Sequence, residues 1–175
     1  MNDLFQSSSA SVSPCGRYRY GLTRQWSDGL MMGFVMLNPS TADADLDDPT
    51  IRRCIGFARR EGCGGIVVVN LFPLRATDPA QLWATRYLER FGPDSDNEFQ
   101  RHLRMMTGPI VAAWGADGDS QGGDAVALMR HYLGSRLVCL GKTQQGAPRH
   151  PLYVRGDAPL IPFSFTTKAK GGDHV

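Results

Sequence analysis

Two uninterrupted apolar runs in this chain stop at an asparagine, and no other feature narrows the possible folds as much. The first is Gly33-Phe34-Val35-Met36-Leu37, closed by Asn38; the second is Ile66-Val67-Val68-Val69, closed by Asn70. Neither run alternates with polar residues, so both faces of these strands must be covered, as in a parallel sheet with helices on either side. In open sheets of that kind ligands sit beyond the carboxyl ends of the strands. An amide at each strand tip therefore stands where a ligand would be, and the competing reading is a pair of turn-forming asparagines.

The rest of the chain repeats the same rhythm. Residues 15–22 read as an extended strand, Trp26-Ser27-Asp28-Gly29 as a turn, and Leu30 to Leu37 as the returning arm of a β-hairpin. Asp48-Pro49-Thr50 opens a helix with Asp48 as its cap, and Ile51, Cys54, Ile55 and Ala58 form its apolar face. Further helices are expected over residues 80–88, 96–106 and 124–133, with strands over 110–115 and 136–140. The alternation predicts an α/β three-layer sandwich around a mainly parallel four-stranded sheet, with an N-terminal β-hairpin. It should form a single domain over residues 14–166, flanked by flexible tails at 1–13 and 167–175.

Composition removes several classes of function. No apolar run is long enough to span a membrane, and the serine-rich start is not a secretory signal. The four cysteines form no Cys-x-x-Cys pair, which fits incidental thiols of a reducing cytoplasm better than a metal site. Asp43, Asp45, Asp47 and Asp48 lack the glycine and distal glutamate of a calcium loop, so they read as solvated loop and helix cap. Residues 116–123 hold no phosphate-loop lysine. No metal or organic cofactor is implied. The net charge of +2 is too small to identify a nucleic-acid partner by itself, although arginine supplies 16 of the 19 basic residues.

Beyond the last strand, residues 141–154 are rich in Gly, Pro and hydrogen-bonding side chains, and Lys142, Arg149 and His150 make the stretch positive. A long loop of this composition is functional or disordered. His150 precedes Pro151, which restricts its backbone; a lone histidine is more often structural, but its place in this loop favours a site role.

Four landmarks are then in order: Leu37-Asn38-Pro39-Ser40, Val69-Asn70-Leu71, Ala113-Trp114-Gly115 and His150-Pro151-Leu152. Together with Asn38-Pro39-Ser40-Thr41-Ala42-Asp43 and Asp48-Pro49-Thr50, they resemble a domain-of-unknown-function family, number 1643, over most of residues 15–154. Through the shorter motifs the chain also resembles the uracil-DNA glycosylase superfamily. That resemblance implies an N-glycosidic hydrolase acting on a modified or damaged base, or a nucleobase- or nucleic-acid-binding module of the same fold. It implies that Asn38 positions water and that His150 stabilises the departing base. Asn70, Pro39, Ser40 and Phe72 would bind the base, with Phe57 as a second candidate for stacking. Arg149, Lys142, Leu152, Tyr153 and Arg75 would meet DNA. An amide at position 38 orients water but cannot act as a general base.

Overall fold

Seven strands form one mixed sheet in the order β1-β2-β4-β3-β5-β6-β7 in the computed structural model, which describes residues 6–165. The strands are β1 (Ser7–Val12), β2 (Arg19–Gln25), β3 (Met31–Met36), β4 (Gly65–Asn70), β5 (Ile110–Ala112), β6 (Leu137–Cys139) and β7 (Ile161–Pro162). The helices are α1 (Pro49–Arg60), α2 (Pro79–Ala84), α3 (Ser95–Met105), α4 (Gly115–Gln121) and α5 (Asp124–Leu133). The middle of the sheet is parallel, with β3 paired to β4 and β5, and β5 to β6. Antiparallel strands close both edges.

Strand alternation sorts the side chains onto two cores. Val35, Val67 and Val69 pack with α2, α3 and α5 on one face, while Phe34, Ile66 and Val68 pack with α1 on the other. Burying each of these side chains contributes roughly 1.5–3 kcal/mol before entropy is counted. Helix α1 begins where expected: Asp48 Oδ1 accepts the Ile51 N–H at 2.9 Å, Pro49 occupies the first turn, and Ile51, Cys54, Ile55 and Ala58 are buried.

Three expectations need correction. The sheet has seven strands rather than four, because β2, β7 and residues 7–12, the last expected within the N-terminal tail but forming the edge strand β1, all join it as antiparallel strands. The hairpin is β1–β2, since β4 inserts between β2 and β3 and prevents them from pairing with each other. The short helix α4 takes in Gly115, expected as the end of a strand, and residues 116–121, expected as a glycine-aspartate loop. The expected tail at 167–175 lies outside the described residues.

Two buried arginines of β2 organise the acidic loop. Arg24, 1% exposed, donates from Nε to Asp47 Oδ1 at 2.9 Å and from Nη2 to the Asp43 carbonyl at 2.6 Å. Arg19, 2% exposed, donates to the Ala42 carbonyl. The Asp43 carboxylate turns inward on its own loop, accepting the N–H groups of Asp45 and Leu46 at 2.9 Å each. The loop is thus held from below by cations rather than solvated freely, and it anchors the segment that carries Asn38 to Ser40.

Candidate functional site

Beyond the carboxyl ends of β3 and β5 lies a cleft of about 560 Å³. Leu37, Asn38 and Ser40 form one wall, Thr77 and Pro79 a second, Trp114 to Asp117 a third, and Thr143, Arg149, His150 and Tyr153 the fourth. The sequence position of the cleft is what an open α/β sheet dictates.

Asn38 is fixed by its own amide. Its Nδ2 donates to the Ala76 carbonyl at 2.8 Å and to the Pro39 carbonyl at 3.1 Å. With both N–H bonds spent on the loop, Oδ1 is left as the acceptor; the amide orientation follows from this hydrogen-bond network.

His150 is fixed by its backbone neighbour. It caps the 3-10 turn Pro151–Tyr153, with Nδ1 accepting the Leu152 N–H at 3.3 Å. The neutral ring therefore carries its proton on Nε2, away from that contact. Burial lowers the imidazole pKa below its ordinary value, and the nearby Asp48 charge partly opposes the shift. His150 is thus a neutral donor at pH 7. Replacing Asp48 by Asn keeps a capping side chain and removes the charge, so the His150 pKa should fall further. A pH titration of its imidazole resonances checks this; a rise in pKa would contradict it.

The loop that carries His150 is stapled to α1. Arg53 donates to the carbonyls of Pro151 and Val154. Arg60 reaches the Gly156 and Ala158 carbonyls at 2.8 and 2.7 Å. The arginine cluster of α1 thus holds the 150–158 segment in place. On the facing wall Gly115 sits at φ +75°, a conformation that favours glycine, and a β-carbon there would touch His150 Cβ at 4.0 Å.

The structure brings together Asn38, Ser40, Arg149, His150 and Tyr153 of the residues expected at a site. Tyr153 is 77% exposed, with its ring centroid 5.7 Å from that of His150. Pro39 is buried beneath the loop and receives the Ala76 N–H on its carbonyl at 3.0 Å. Leu152 is 41% exposed beside the cleft, without lining it.

Other expected residues stand apart. Phe72 is fully buried, packed against Trp83, Tyr87 and Phe91, and Phe57 is buried on α1 beneath Arg53 and Arg60, so neither offers a face to a base. Lys142 lies with Nζ 5.6 Å from the Phe163 ring centroid, and Arg75 points to the Gly16 carbonyl at 3.5 Å. Asn70 does not join Asn38 and His150; it borders a separate chamber of about 50 Å³. The reason is register. Asn70 pairs with Met36, and the ladder continues past it through Leu71 N–H to the Met36 carbonyl and Phe72 N–H to the Leu37 carbonyl. Asn70 is therefore still inside the sheet, two residues short of the level of Asn38. Both of its amide atoms are buried without a partner.

Thr77, Asp117 and Thr143 line the cleft without having been anticipated. Asp117 is the one carboxylate among its described lining residues. Among the described residues there is no group of three or more metal-ligating side chains, and no helix is long and apolar enough to cross a membrane.

No curated protein and no solved structure matches the chain. A family model described as a protein of unknown function, DUF1643, matches residues 19–152. That match runs from the start of β2 to the turn beside His150 and takes in both the central sheet and the cleft walls. The chain belongs to the DUF1643 family.

Proposed function

We propose that the cleft binds a base still attached to its sugar and hydrolyses the N-glycosidic bond, with a modified or damaged base in DNA as the substrate. The observation that carries this reading is the meeting, in one cleft, of an amide acceptor at Asn38 and a neutral imidazole donor at His150. The parallel centre of the sheet supports it, as does the resemblance of the Asn38-Pro39-Ser40 and His150-Pro151 motifs to those of the uracil-DNA glycosylases, which the Asn70 motif does not join.

In the reaction the C1′–N bond breaks, its electron pair stays on the base, and water adds to C1′. The His150 Nε2–H stabilises the negative charge as it develops on the base. Asn38 Oδ1 accepts a hydrogen bond from the attacking water and orients it. The proton that water loses needs a base, which an amide cannot be; Asp117 is the lining carboxylate able to take it. Ser40, Thr77 and Thr143 offer hydroxyls to the base edges, and Arg149 and Tyr153 at the rim suit a phosphate and a stacked neighbour. Extruding a base from a duplex costs a few kcal/mol, which such contacts would offset.

Asp117→Asn should lower the rate of base release by about 10²-fold while leaving oligonucleotide affinity within a few-fold. Single-turnover rates beside equilibrium binding would show it, and an unchanged rate would remove Asp117 from the chemistry. The reading as a whole is tested by incubating the protein with oligonucleotides bearing a panel of altered bases, then treating with alkali and assaying free base. Cleavage at one of them is expected. No strand scission and no released base across the panel and bulk phage DNA would defeat it.

A second reading, a binding module without turnover, is favoured by the amide at position 38. It would show as nucleobase or nucleotide binding that His150→Ala weakens, with no base released.

A further inference from the structure

On the face of the sheet covered by α3 and α5 a second concavity shows the marks of a ligand site. The small chamber beside Asn70 and an outer groove of about 590 Å³ share Phe91, Ser95, Asp96, Ala125 and Leu128 as lining residues, so the two cavities adjoin. Its apolar surfaces are Phe91, Phe99 and Leu128, together with Leu88, which is 82% exposed. Asp94, Asp96 and Asp124 stand around the outer groove, and no lysine or arginine is among the described residues lining either part. This is an acidic mouth on a protein whose net charge is positive.

Helix starts account for part of that charge. Asp96 and Asp124 lie in the first turns of α3 and α5, where carboxylates are favourable. Asp94, at the cap position of α3, makes no capping hydrogen bond. Helix stability also leaves unexplained two phenols, one beside each cavity, whose hydroxyls are buried. Tyr20, 5% exposed, lines the inner chamber and Tyr87 lines the outer groove, and both hydroxyls are buried without a partner. Backbone groups at Asp94 and Ala125 act on them without meeting hydrogen-bond geometry. Two such groups in adjoining cavities represent unspent hydrogen-bonding capacity.

We propose that this pocket binds a small organic cation, an ammonium group carried on an apolar or aromatic body. The body fills the space between Phe91, Leu88 and Leu128. The ammonium lies among Asp94, Asp96 and Asp124 and donates to the phenol oxygens, and the aromatic faces add cation–π attraction. A neutral ligand would leave the carboxylates unanswered, and an anion would be repelled. The site is independent of the cleft at Asn38 and His150.

Calorimetric titration of the full-length chain with phenethylammonium, phenethyl alcohol and 3-phenylpropionate tests it. The ammonium should bind at least about fivefold tighter than the alcohol, and the carboxylate should not bind. The double substitution Asp96→Asn with Asp124→Asn should weaken the ammonium by at least about fivefold, and Leu128→Arg should block it, whereas His150→Ala should leave it unchanged. Equal affinity for ammonium and alcohol, indifference to the two asparagine substitutions, or no binding at millimolar ammonium would overturn the proposal.

Discussion

His150→Ala is expected to reduce base release by about 10²–10³-fold, the range for losing one preorganised donor at a developing anion. The imidazole is held by the Leu152 N–H on Nδ1, so alanine removes a donor whose direction the backbone had already set. His150→Gln, which restores an N–H, should recover part of the loss. The pH profile carries its own sign. Burial lowers the folded-state pKa of His150, so the ring stays neutral through pH 7 and protonates only as pH falls below the ordinary imidazole range. Protonation places a hydrogen on Nδ1, which can then no longer accept the Leu152 N–H. Activity should be flat across neutral pH and fall on the acid side. Because the residue is only half-buried, the alanine variant should remain folded, with stability within about 1 kcal/mol of the parent.

Gly21→Ala is expected to destabilise the fold by about 3 kcal/mol or more. A β-carbon on Gly21 falls 2.2 Å from His102 Nε2 and within 2.5 Å of two further ring atoms. The ring has nowhere to go: His102 is 2% exposed, and its Nδ1 lies 2.7 Å from the Glu98 carbonyl within α3. Strand β2 and helix α3 thus meet at a contact that only glycine permits. Truncating the ring relieves the clash, so Gly21→Ala with His102→Ala should be less destabilising than the sum of the single changes, with a coupling of at least about 1 kcal/mol. Urea unfolding of the four proteins measures it. A Gly21→Ala penalty below about 0.5 kcal/mol would mean that α3 shifts freely on the sheet.

These two sites differ in how visible they are in the sequence. His150 could be picked out because a histidine before proline in a long polar loop has few structural uses, and Asn38 because it ends an apolar run. That the central strands run parallel also followed from periodicity, since fully apolar runs need cover on both faces. The pairing of Gly21 with His102 had no signal, because it depends on the rotation of α3 against β2. Strand β1 was hidden for a related reason. Its residues, Ser7-Ser8-Ser9-Ala10-Ser11-Val12, are polar and make an edge strand through backbone pairing with β2, with Ser9 Oγ meeting Thr23 Oγ1 at 2.5 Å.

Asn70 shows the same limit from the other side. The apolar run does end its strand at Asn70, but that residue pairs with Met36 and backbone hydrogen bonds continue through Leu71 and Phe72, so its amide lies level with Met36 rather than with Asn38. Thr77, Asp117 and Thr143 reach the cleft from three separate segments, a convergence that exists only after folding. Arg19 and Arg24 gave no sign of burial either, because a charged residue in a strand ordinarily faces water. Their role depends on the acidic loop crossing over them.

N-glycosidic hydrolysis in the Asn38–His150 cleft is the central claim. Its sharpest test is the reaction of an altered-base oligonucleotide in H2¹⁸O, with the mass of both products read under single turnover. The prediction is free base without label and one ¹⁸O at C1′ of the sugar left in the strand, with the signal lost in His150→Ala. Recovery of intact oligonucleotide from a complex that His150→Ala weakens, or label in the base, would contradict it.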